Sequence, residues 1–422
     1  MTDTTPKTKE AKGFHYSPTL GIVIAMVLGF IAGMIGGERM ASIQFVGDIF
    51  FRLIQMGIIP FVMCAIIDAV GGLTARDISG YGLKGIAWFA GSSVLASVFG
   101  IVATVIFKPG EGLADANELL AASSAAEATV TTWQDTLTGF IGSNIVASMA
   151  SGAMVPCIVF AIAIGLACSA WRQANDGDCI VFDFFVELES LILNIIRGVM
   201  RVAPIGIFCY VSAMVGKLGA SILGPLVKYL LVLGGTVFVF LVLWIIAVCV
   251  RCKLSPKILV HKMWRMSVMA LATISSAVTL PLEMEDAKER LGLREDIADL
   301  VLPLGMPLNS NGASIHLAVT ALTIAQIYGM TFTGVDLAFL AVISTLLSLA
   351  NAVAPGADLV SLTMIVPQLG LPLSSIGIFA GLTYPVGAIR TILNVDSDVF
   401  CALMVAADYE DGINREIFEA NN

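Results

Sequence analysis

The last apolar segment of the chain, residues 376–407, carries three polar side chains at a spacing of four residues: Arg390, Asn394 and Asp398. In a helix, residues four apart lie on the same face. A guanidinium inside an apolar helix costs about 3 kcal/mol on insertion scales, and its planar fork suits a carboxylate. The spacing therefore predicts a carboxylate-binding site at Arg390, with a structural ion pair to Asp398 or Asp358 as the alternative.

Oxygen-bearing groups also cluster where a neighbouring apolar segment is interrupted by prolines, glycines and asparagines. Gly305, Asn309 and Asn311 lie in that segment, and Asn394 and Asp398 supply oxygen atoms from the helix described above. Carboxylate, carboxamide and backbone carbonyl oxygens are the ligands that hard cations prefer. These residues predict a site for a monovalent cation, and capping of the helix break is the alternative role for the two asparagines of the segment.

Two hairpin turns contribute further groups. Ser275 and Ser276 can offer hydroxyls and half-helix N–H donors to an anion, although small residues also allow close helix packing. Pro355 and Gly356 form the opposing turn, which is suited to act as a gate. For Asp358 beside them, three interpretations stay open: contact with a substrate amino group, transfer of a proton, or solvation at an open mouth.

The composition decides the class of protein. The chain of 422 residues is 57% hydrophobic and only 13% charged, whereas about 25% of the residues of soluble proteins are charged. A water-exposed surface of this size needs more charge, so lipid must cover much of it. We therefore expect a polytopic α-helical membrane protein. The net charge of −9 argues weakly against nucleic-acid binding, and three histidines without a nucleophile–base spacing argue against an enzyme.

Apolar runs of about 20 residues, the length of a spanning helix, occur six times in the first part of the chain. They cover residues 18–35, 46–73, 86–107, 147–170, 182–215 and 226–250. Later segments are short and broken, at residues 267–282, 297–330, 337–366 and 376–407. Two of these segments have a central break, and the apolar stretch on each side of the break is too short to cross the membrane. They are therefore predicted to be re-entrant hairpins, which leaves about eight true spans. Broken backbone at membrane depth predicts a binding site near the midplane.

The basic residues predict the orientation, because cytoplasmic loops carry an excess of lysine and arginine. The N-terminal tail carries Lys7, Lys9 and Lys12, and the loop after the sixth run is the most basic. Six spans that start from a cytoplasmic N-terminus place the more basic loops in the cytoplasm. We expect an integral protein of the plasma (inner) membrane with both termini cytoplasmic.

Short motifs along nearly the whole chain resemble the dicarboxylate/amino acid:cation symporter family, which includes the glutamate transporters. The similar stretches are residues 47–56 with 59–60, residues 201–208, Ser275-Ser276 with Thr279-Leu280-Pro281, Pro303-Leu304-Gly305 with Asn309 and Gly312, Pro355-Gly356-Ala357, and Arg390-Thr391 with Asn394 and Asp398. Their order is that of the family's second span, fifth span, first hairpin, broken seventh span, second hairpin and eighth span.

The resemblance implies a glutamate-transporter-like elevator fold of eight transmembrane helices and two re-entrant hairpins, assembled as a homotrimer. Residues 18–250 would form mainly the scaffold, with the third and sixth spans (about 82–107 and 225–250) associated with the mobile transport unit. The transport unit would comprise residues 258–407, with hairpin 1 at about 258–292, the seventh span at about 296–330, hairpin 2 at about 337–371 and the eighth span at about 375–407. Residues 1–17 and 408–422 would be cytoplasmic tails.

The resemblance also implies roles for individual residues. Arg390 would bind the side-chain carboxylate of the substrate, while Ser276, Thr391 and Asn394 would contact the rest of it. The sodium ligands would be Gly305, Asn309, Asn394 and Asp398 at one site, and Ser92 and Ser93 with the seventh-span motif, including Asn311, at another. No organic cofactor is implied. Sodium is the expected coupling ion, with a proton as the alternative.

Several positions depart from the family's pattern. The usual Asn-Met-Asp-Gly motif is Asn-Ser-Asn-Gly at residues 309–312, so one carboxylate is missing from a cation site and full multi-sodium coupling is not expected. Gly387 stands where amino-acid transporters place an aspartate for the substrate's amino group, and Asp358 stands where glycine is usual. Either Asp358 replaces the missing partner, or the substrate has no amino group.

Together these features predict a cation-coupled symporter for a small acidic solute, working by alternating access. The solute would be a C4-dicarboxylate or an acidic amino acid such as aspartate or glutamate, and its partners would otherwise be membrane lipid and further copies of the chain. The alternatives are a proton-coupled or sodium-reduced carrier of another amino acid, and a substrate-gated anion channel. Paired hairpin breaks favour a gated carrier over a channel.

Overall fold

The computed structural model describes residues 18–74, 80–111, 138, 141–218, 223–349, 357–380 and 382–420. These residues form helices and their connecting turns. No strand occurs among them, and only Leu293 and Ile413 form an isolated antiparallel bridge. The all-helical class predicted from the sequence is confirmed.

The helices are, in chain order, α1 (Pro18–Gly36), α2 (Gln44–Gly71), α3 (Gly80–Phe107), α4 (Ile145–Ser151), α5 (Met154–Ala174), α6 (Ile180–Met200), α7 (Ala203–Leu218), α8 (Leu223–Cys252), α9 (Pro256–Thr273), α10 (Ser276–Glu289), α11 (Glu295–Leu308), α12 (Asn311–Ile327), α13 (Gly334–Leu349), α14 (Ala357–Gln368), α15 (Ile376–Ala380), α16 (Thr383–Ala406) and α17 (Arg415–Glu419). Short 3₁₀ turns lie at Gly37–Ile43 and Leu373–Ser375.

A first group of helices contains α1, α2 and α5 to α7. Helix α1 packs along α7, and α2 packs against α5, α6 and α7. Phe61, Ile67 and Ile207 are fully buried between these helices. On the outside, Ile35 and Met56 remain largely exposed. Exposed apolar side chains in such number fit a surface covered by lipid.

A second group surrounds α12 and α16. Helix α16 packs against α8, α9, α10, α11 and α12, and α3 packs against α11, α12 and α13. Nearly every residue of α12, and of α16 from Arg390 onward, is buried. A helix that is buried on all faces belongs to the core of its domain. The polar residues of α16 therefore lie in the interior of this group.

Several helices of the described residues are long and apolar enough to cross a bilayer. Four single stretches qualify, at Ile24–Phe50, Gly80–Phe107, Val155–Ala174 and Gly224–Cys252. A bent pair, Ile180–Val199 with Ala203–Ala213, raises the number to five if it counts as one span. The later segments divide into shorter helices, because prolines, glycines and asparagines interrupt them.

The sequence shows residues 182–215 as one apolar run, and the structure divides this run into α6 and α7. The two helices meet at about 55°, with Arg201 and Val202 between them. Pro204 explains the break, because a proline lacks the N–H group and its ring crowds the carbonyl four residues earlier. That carbonyl belongs to Met200, the last residue of α6.

Candidate functional site

Helix α16 carries the predicted carboxylate ligand in the protein interior. Arg390, Thr391, Asn394 and Asp398 are each 6% exposed or less, and they lie in one uninterrupted helix. The Thr391 hydroxyl donates to the backbone carbonyl of Gly387 at 2.7 Å, which fixes its rotamer. The guanidinium of Arg390 is thus attached to a rigid, buried element, where its planar donors suit a carboxylate.

The broken segment separates α11 from α12 at Asn309 and Ser310. Asn309 has φ −118° and ψ 91°, and Ser310 has φ −118° and ψ 58°, so neither residue continues the helix. Pro303 and Pro307 precede the break inside α11, and each removes a backbone donor. The break leaves the first N–H groups of α12 without partners in their own helix.

Asn394 satisfies these groups from a different helix. Its side-chain oxygen Oδ1 accepts hydrogen bonds from the N–H of Gly312 at 2.8 Å and of Ala313 at 3.3 Å. The arrangement is an N-cap supplied by α16. The start of α12 is therefore fixed relative to Arg390, which lies one turn away from Asn394.

Five of the predicted cation ligands meet between α3, the helix break and α16. Asn309 Nδ2 donates to Asp398 Oδ1 at 2.8 Å. Ser92 Oγ lies 3.3 Å from Asn309 Oδ1 and 3.2 Å from Asn311 Oδ1, and its single proton can be donated to either. Ser93 Oγ donates to Asn311 Oδ1 at 2.9 Å. All five side chains are 5% exposed or less. We name these five residues the oxygen cluster.

The donor set of the oxygen cluster suits a hard monovalent cation. It offers hydroxyl, carboxamide and carboxylate oxygens in a dry interior, and such oxygens are the ligands that hard cations prefer. Asp398 Oδ2 is buried and has no hydrogen-bond partner among the described residues. This charged oxygen is therefore the strongest ligand that the cluster can give to a sodium ion.

Two glycines allow the helix break to approach α16 closely. A Cβ atom at Gly305 would lie 2.7 Å from Asp398 Oδ1, and one at Gly312 would overlap the backbone carbonyl of Arg390. The carbonyl of Gly305 accepts the N–H of Asn309 at 2.7 Å and has a second lone pair. The role of Gly305 as a cation ligand stays a prediction.

The tip of the first hairpin lies between α9 and α10. Helix α9 ends at Thr273, and Ile274 adopts a left-handed conformation with φ 52° and ψ 34°, which is unfavourable for a β-branched residue. Ser275 caps α10, since its hydroxyl accepts the N–H of Val278 at 3.3 Å. Ser276 is the first residue of α10. Both serines are half-buried, so the first N–H groups of α10 lie beside hydroxyls that an anion can reach.

The predicted second tip, Pro355 and Gly356, lies outside the described residues. Asp358 belongs to the first turn of α14. Helices α13 and α14, which flank this tip in the chain, both pack against α12. The roles expected for these three residues stay predictions.

Two buried carboxylates were not assigned to the site from the sequence. Glu283 of α10 is 1% exposed, and Asp396 of α16 is 4% exposed. Asp396 accepts a hydrogen bond from Ser267 Oγ at 2.8 Å. The signal for Glu283 is its spacing, because Thr279, Glu283 and Ala287 lie four residues apart and are buried on one face of α10.

An apolar cavity of about 790 Å³ lies between α3 and α8. Trp88, Phe240 and Trp244 are among its lining residues, and Ser92 of the oxygen cluster borders it. Arg390 does not line this cavity. The lining is almost entirely apolar, and its lysine, Lys84, pairs with Asp408. The cavity therefore suits apolar groups better than an acidic solute.

Comparison with known proteins identifies the family. The model of the sodium:dicarboxylate symporter family matches residues 19–408, which is nearly the whole chain. The chain belongs to this family. The members of the sodium:dicarboxylate symporter family are transporters rather than enzymes, and their fold is the glutamate-transporter-like membrane fold. The resemblance inferred from the sequence motifs is therefore confirmed.

Relatives of this symporter align along almost the whole chain. The proton/glutamate-aspartate symporter of Escherichia coli (strain K12) is 28% identical, and the alignment covers 96% of this chain and 95% of the relative. The proton/sodium-glutamate symport protein of Bacillus caldotenax is 28% identical, with coverage of 94% and 95%. The C4-dicarboxylate transport protein of Paraburkholderia xenovorans (strain LB400) is 27% identical, with coverage of 97% and 96%. The names of these relatives include both solute classes that the sequence predicted.

Proposed function

We propose that this protein is a secondary active transporter that moves a small acidic solute across the plasma membrane together with a cation. The observation that carries the proposal is the position of Asn394, which caps α12 one turn from Arg390 and one turn from Asp398. A solute carboxylate at Arg390 and a cation at the oxygen cluster would thus bind to one rigid helix. Relatives named as symporters of glutamate and aspartate support the same function.

The coupling follows from charge and from the shared helix break. A buried carboxylate without compensation is unfavourable, so Asp398 favours binding of a sodium ion, or of a proton, before the site closes. The cation holds Asn309 and the break in place, and the cap at Asn394 holds Arg390 relative to the break. Cation and solute therefore strengthen each other's binding by the same factor, as linkage requires.

The movement in this proposal is that of an elevator. The transport unit consists of residues 258–407 with α3 and α8, and the packing of α3 and α8 against α12 and α16 supports this division. Helices α1, α2 and α5 to α7 form the scaffold. The second tip at Pro355 and Gly356 is the gate. Three copies assemble in the lipid bilayer, each transports by itself, and both termini are cytoplasmic.

The choice between an amino acid and a C4-dicarboxylate depends on a partner for the amino group. Gly387, one turn before Arg390, offers only its backbone carbonyl, which accepts the hydroxyl of Thr391. Asp358 at the start of α14 is the remaining candidate partner. A C4-dicarboxylate needs no such partner, so the solute panel described below distinguishes the two classes.

Uptake by purified protein in proteoliposomes tests the proposal. Labelled aspartate, glutamate, succinate and malate are supplied with an inward gradient of sodium, with an inward gradient of protons, or with no gradient. We expect saturable accumulation of at least one of these solutes, and only in the presence of a cation gradient. Accumulation of none of them, or a conductance that does not saturate, would contradict a coupled carrier.

Arg390→Ala tests the residue on which solute binding depends. Removing one partner of a buried charge pair costs roughly 2–5 kcal/mol, so we expect uptake at low solute concentration to fall at least about 30-fold. Arg197→Ala is the control, because Arg197 lies exposed on α6 and its loss should leave uptake unchanged. Parental uptake in the Arg390 variant would refute the carboxylate assignment.

A further inference from the structure

Glu283 is a buried carboxylate in the interior of the transport unit, like Asp286, Asp396 and Asp398. It is 1% exposed and belongs to α10, which packs against α11 and α16. Asp396 and Asp398 lie on α16, against which α10 packs. In their charged forms Glu283, Asp396 and Asp398 would repel one another with little screening, because the region is dry.

The neighbouring buried carboxylate of the same helix shows what Glu283 lacks. Asp286 is 0% exposed, with Arg265 at 3.2 Å and Arg290 at 3.8 Å. Among the described residues, no ion pair reaches Glu283, and its Oε1 atom is buried without a hydrogen-bond partner. A buried carboxylate that has no ion pair is strongly unfavourable in its charged form. A bound cation would supply the compensating positive charge.

A single cation bound at the oxygen cluster does not compensate the charge of Glu283. Asp398 itself has an oxygen, Oδ2, that is buried and unpartnered in the described part of the chain, and a cation bound there is used to compensate Asp398. Arg390, the buried cation of α16, is assigned to the solute carboxylate. The cation at Asp398 and the guanidinium of Arg390 are thus both assigned to other groups, and the charge of Glu283 is still uncompensated.

We propose that Glu283 receives a monovalent cation of its own, a sodium ion or a proton, in addition to the cation at Asp398. This inference rests on the proposed function, because it adds one to the number of coupling cations. The chemistry common to both ions is a single positive charge at a carboxylate oxygen. Each transport cycle then moves one more positive charge than the site at Asp398 accounts for. Accumulation of the solute therefore responds more steeply to the cation gradient.

Cation-dependent unfolding of the purified protein in detergent tests this inference. A cation that binds only the folded state raises its stability, so the dependence of stability on cation concentration counts the ions bound. Sodium is varied at fixed pH, and pH is varied at fixed sodium. The proteins compared are the parent, Glu283→Gln and Glu289→Gln, since Glu289 is an exposed glutamate at the end of the same helix.

We expect Glu283→Gln to bind about one cation fewer than the parent in one of the two titrations. The titration in which the number falls identifies the ion as sodium or as a proton. Glu283→Gln should also be more stable than the parent where both cations are scarce, because it removes an uncompensated charge. Glu289→Gln should match the parent throughout. Equal cation numbers for Glu283→Gln and the parent in both titrations would overturn the inference.

Asp398→Asn gives an independent measurement if Glu283→Gln does not fold. Because Glu283 is intact in this variant, one cation-dependent step should remain, and loss of every cation dependence would show that Glu283 receives none. Uptake into proteoliposomes is measured on the same preparations. A parent protein that transports no acidic solute contradicts the proposed function. The unfolding measurements at varied sodium and pH need no solute, so they decide the role of Glu283 separately.

Discussion

At the scale of single residues, Asn394 determines more of the site than its position in the sequence indicates. Its oxygen accepts two backbone N–H groups of α12, and a carboxamide oxygen has two lone pairs. The group that remains for a ligand is the amide nitrogen, which donates hydrogen bonds and suits a carboxylate rather than a cation. The side chain thus fits the solute role proposed for Asn394, and the sodium role that the family resemblance implies stays a prediction.

Substitutions at Asn394 separate capping from solute binding. Asn394→Ala leaves two buried N–H groups without an acceptor, so we expect the free energy of unfolding to fall by about 1–3 kcal/mol. Asn394→Asp restores an acceptor at the positive end of α12 and should recover most of that stability. Its negative charge opposes a solute carboxylate at Arg390, so uptake should stay low in both variants. Denaturant unfolding that gives equal stability for the two variants would contradict the cap.

The sequence was sufficient to predict some of these residues and insufficient for others. Arg390 and Asp398 could be predicted because each is a costly charge in an apolar helix. The spacing of Thr279, Glu283 and Ala287 is a weaker signal, because α10 carries polar residues on all its faces and its buried face is chosen by packing against α16, far away in the chain. The long-range cap from Asn394 is likewise invisible to local patterns.

At the scale of elements, the break between α11 and α12 is where three helices meet. Pro303 and Pro307 made the break predictable, because prolines disturb helices from within. The closeness of the contact was not predictable. Gly312 meets the backbone of α16 directly, and such contacts depend on how whole helices pack. At residues 182–215 the reverse occurred: the segment is predicted as one apolar run although it contains five charged residues, and Pro204 signals the break within it.

Gly312→Ala tests the contact between α12 and α16. The added Cβ overlaps the carbonyl oxygen of Arg390, a backbone atom that cannot rotate away, so the two helices must separate. We expect the free energy of unfolding to fall by about 1–3 kcal/mol and solute affinity to weaken, because Arg390 shifts with its backbone. Gly334→Ala is the control, since a Cβ there meets no atom within 4 Å. Similar unfolding curves for both variants would argue against a tight contact.

At the scale of the whole molecule, Asp408 connects three helices at one end of the second group. It follows α16 and pairs with Lys84 of α3 at 2.7 Å and with Arg251 of α8 at 2.6 Å. The hydrogen bond from Lys84, together with the charges of Lys84 and Arg251, lowers the pKa of Asp408 below its usual value of 3.8. The ends of these helices are therefore held together by charge.

This lowered pKa makes the contribution of Asp408 depend on pH. A group whose pKa is lower in the folded state stabilises the protein above its unfolded pKa, and the contribution is lost as the pH falls through the folded pKa. We expect Asp408→Asn to unfold at a slightly lower temperature than the parent near neutral pH. The two should converge as the pH falls below 3.8. The difference is small because the pairs are partly exposed.

The control for this prediction is Glu410→Gln, at an exposed position two residues later. Its unfolding temperature should follow that of the parent across the whole pH range. A difference between Asp408→Asn and the parent that is the same at every pH would mean that charge pairing does not cause it.

Composition was enough to predict the class of the whole molecule, because 13% charged residues cannot cover so large a surface in water. The family match confirms that class. Orientation in the membrane and assembly into a trimer stay predictions. They depend on the bilayer and on partner copies, and a single sequence contains only weak signals of either.

The cap that Asn394 places on α12 also limits how this protein can evolve. A substitution at Asn394 or Gly312 disturbs two helices at once, so we expect neither position to drift without a compensating change at the other. Gly387 is different, because it lies one turn before Arg390 in α16, and a new side chain there can alter the surroundings of Arg390 without opening the helix break. Descendants with new solute preferences should therefore differ first at this position, while the junction of α12 and α16 is inherited intact.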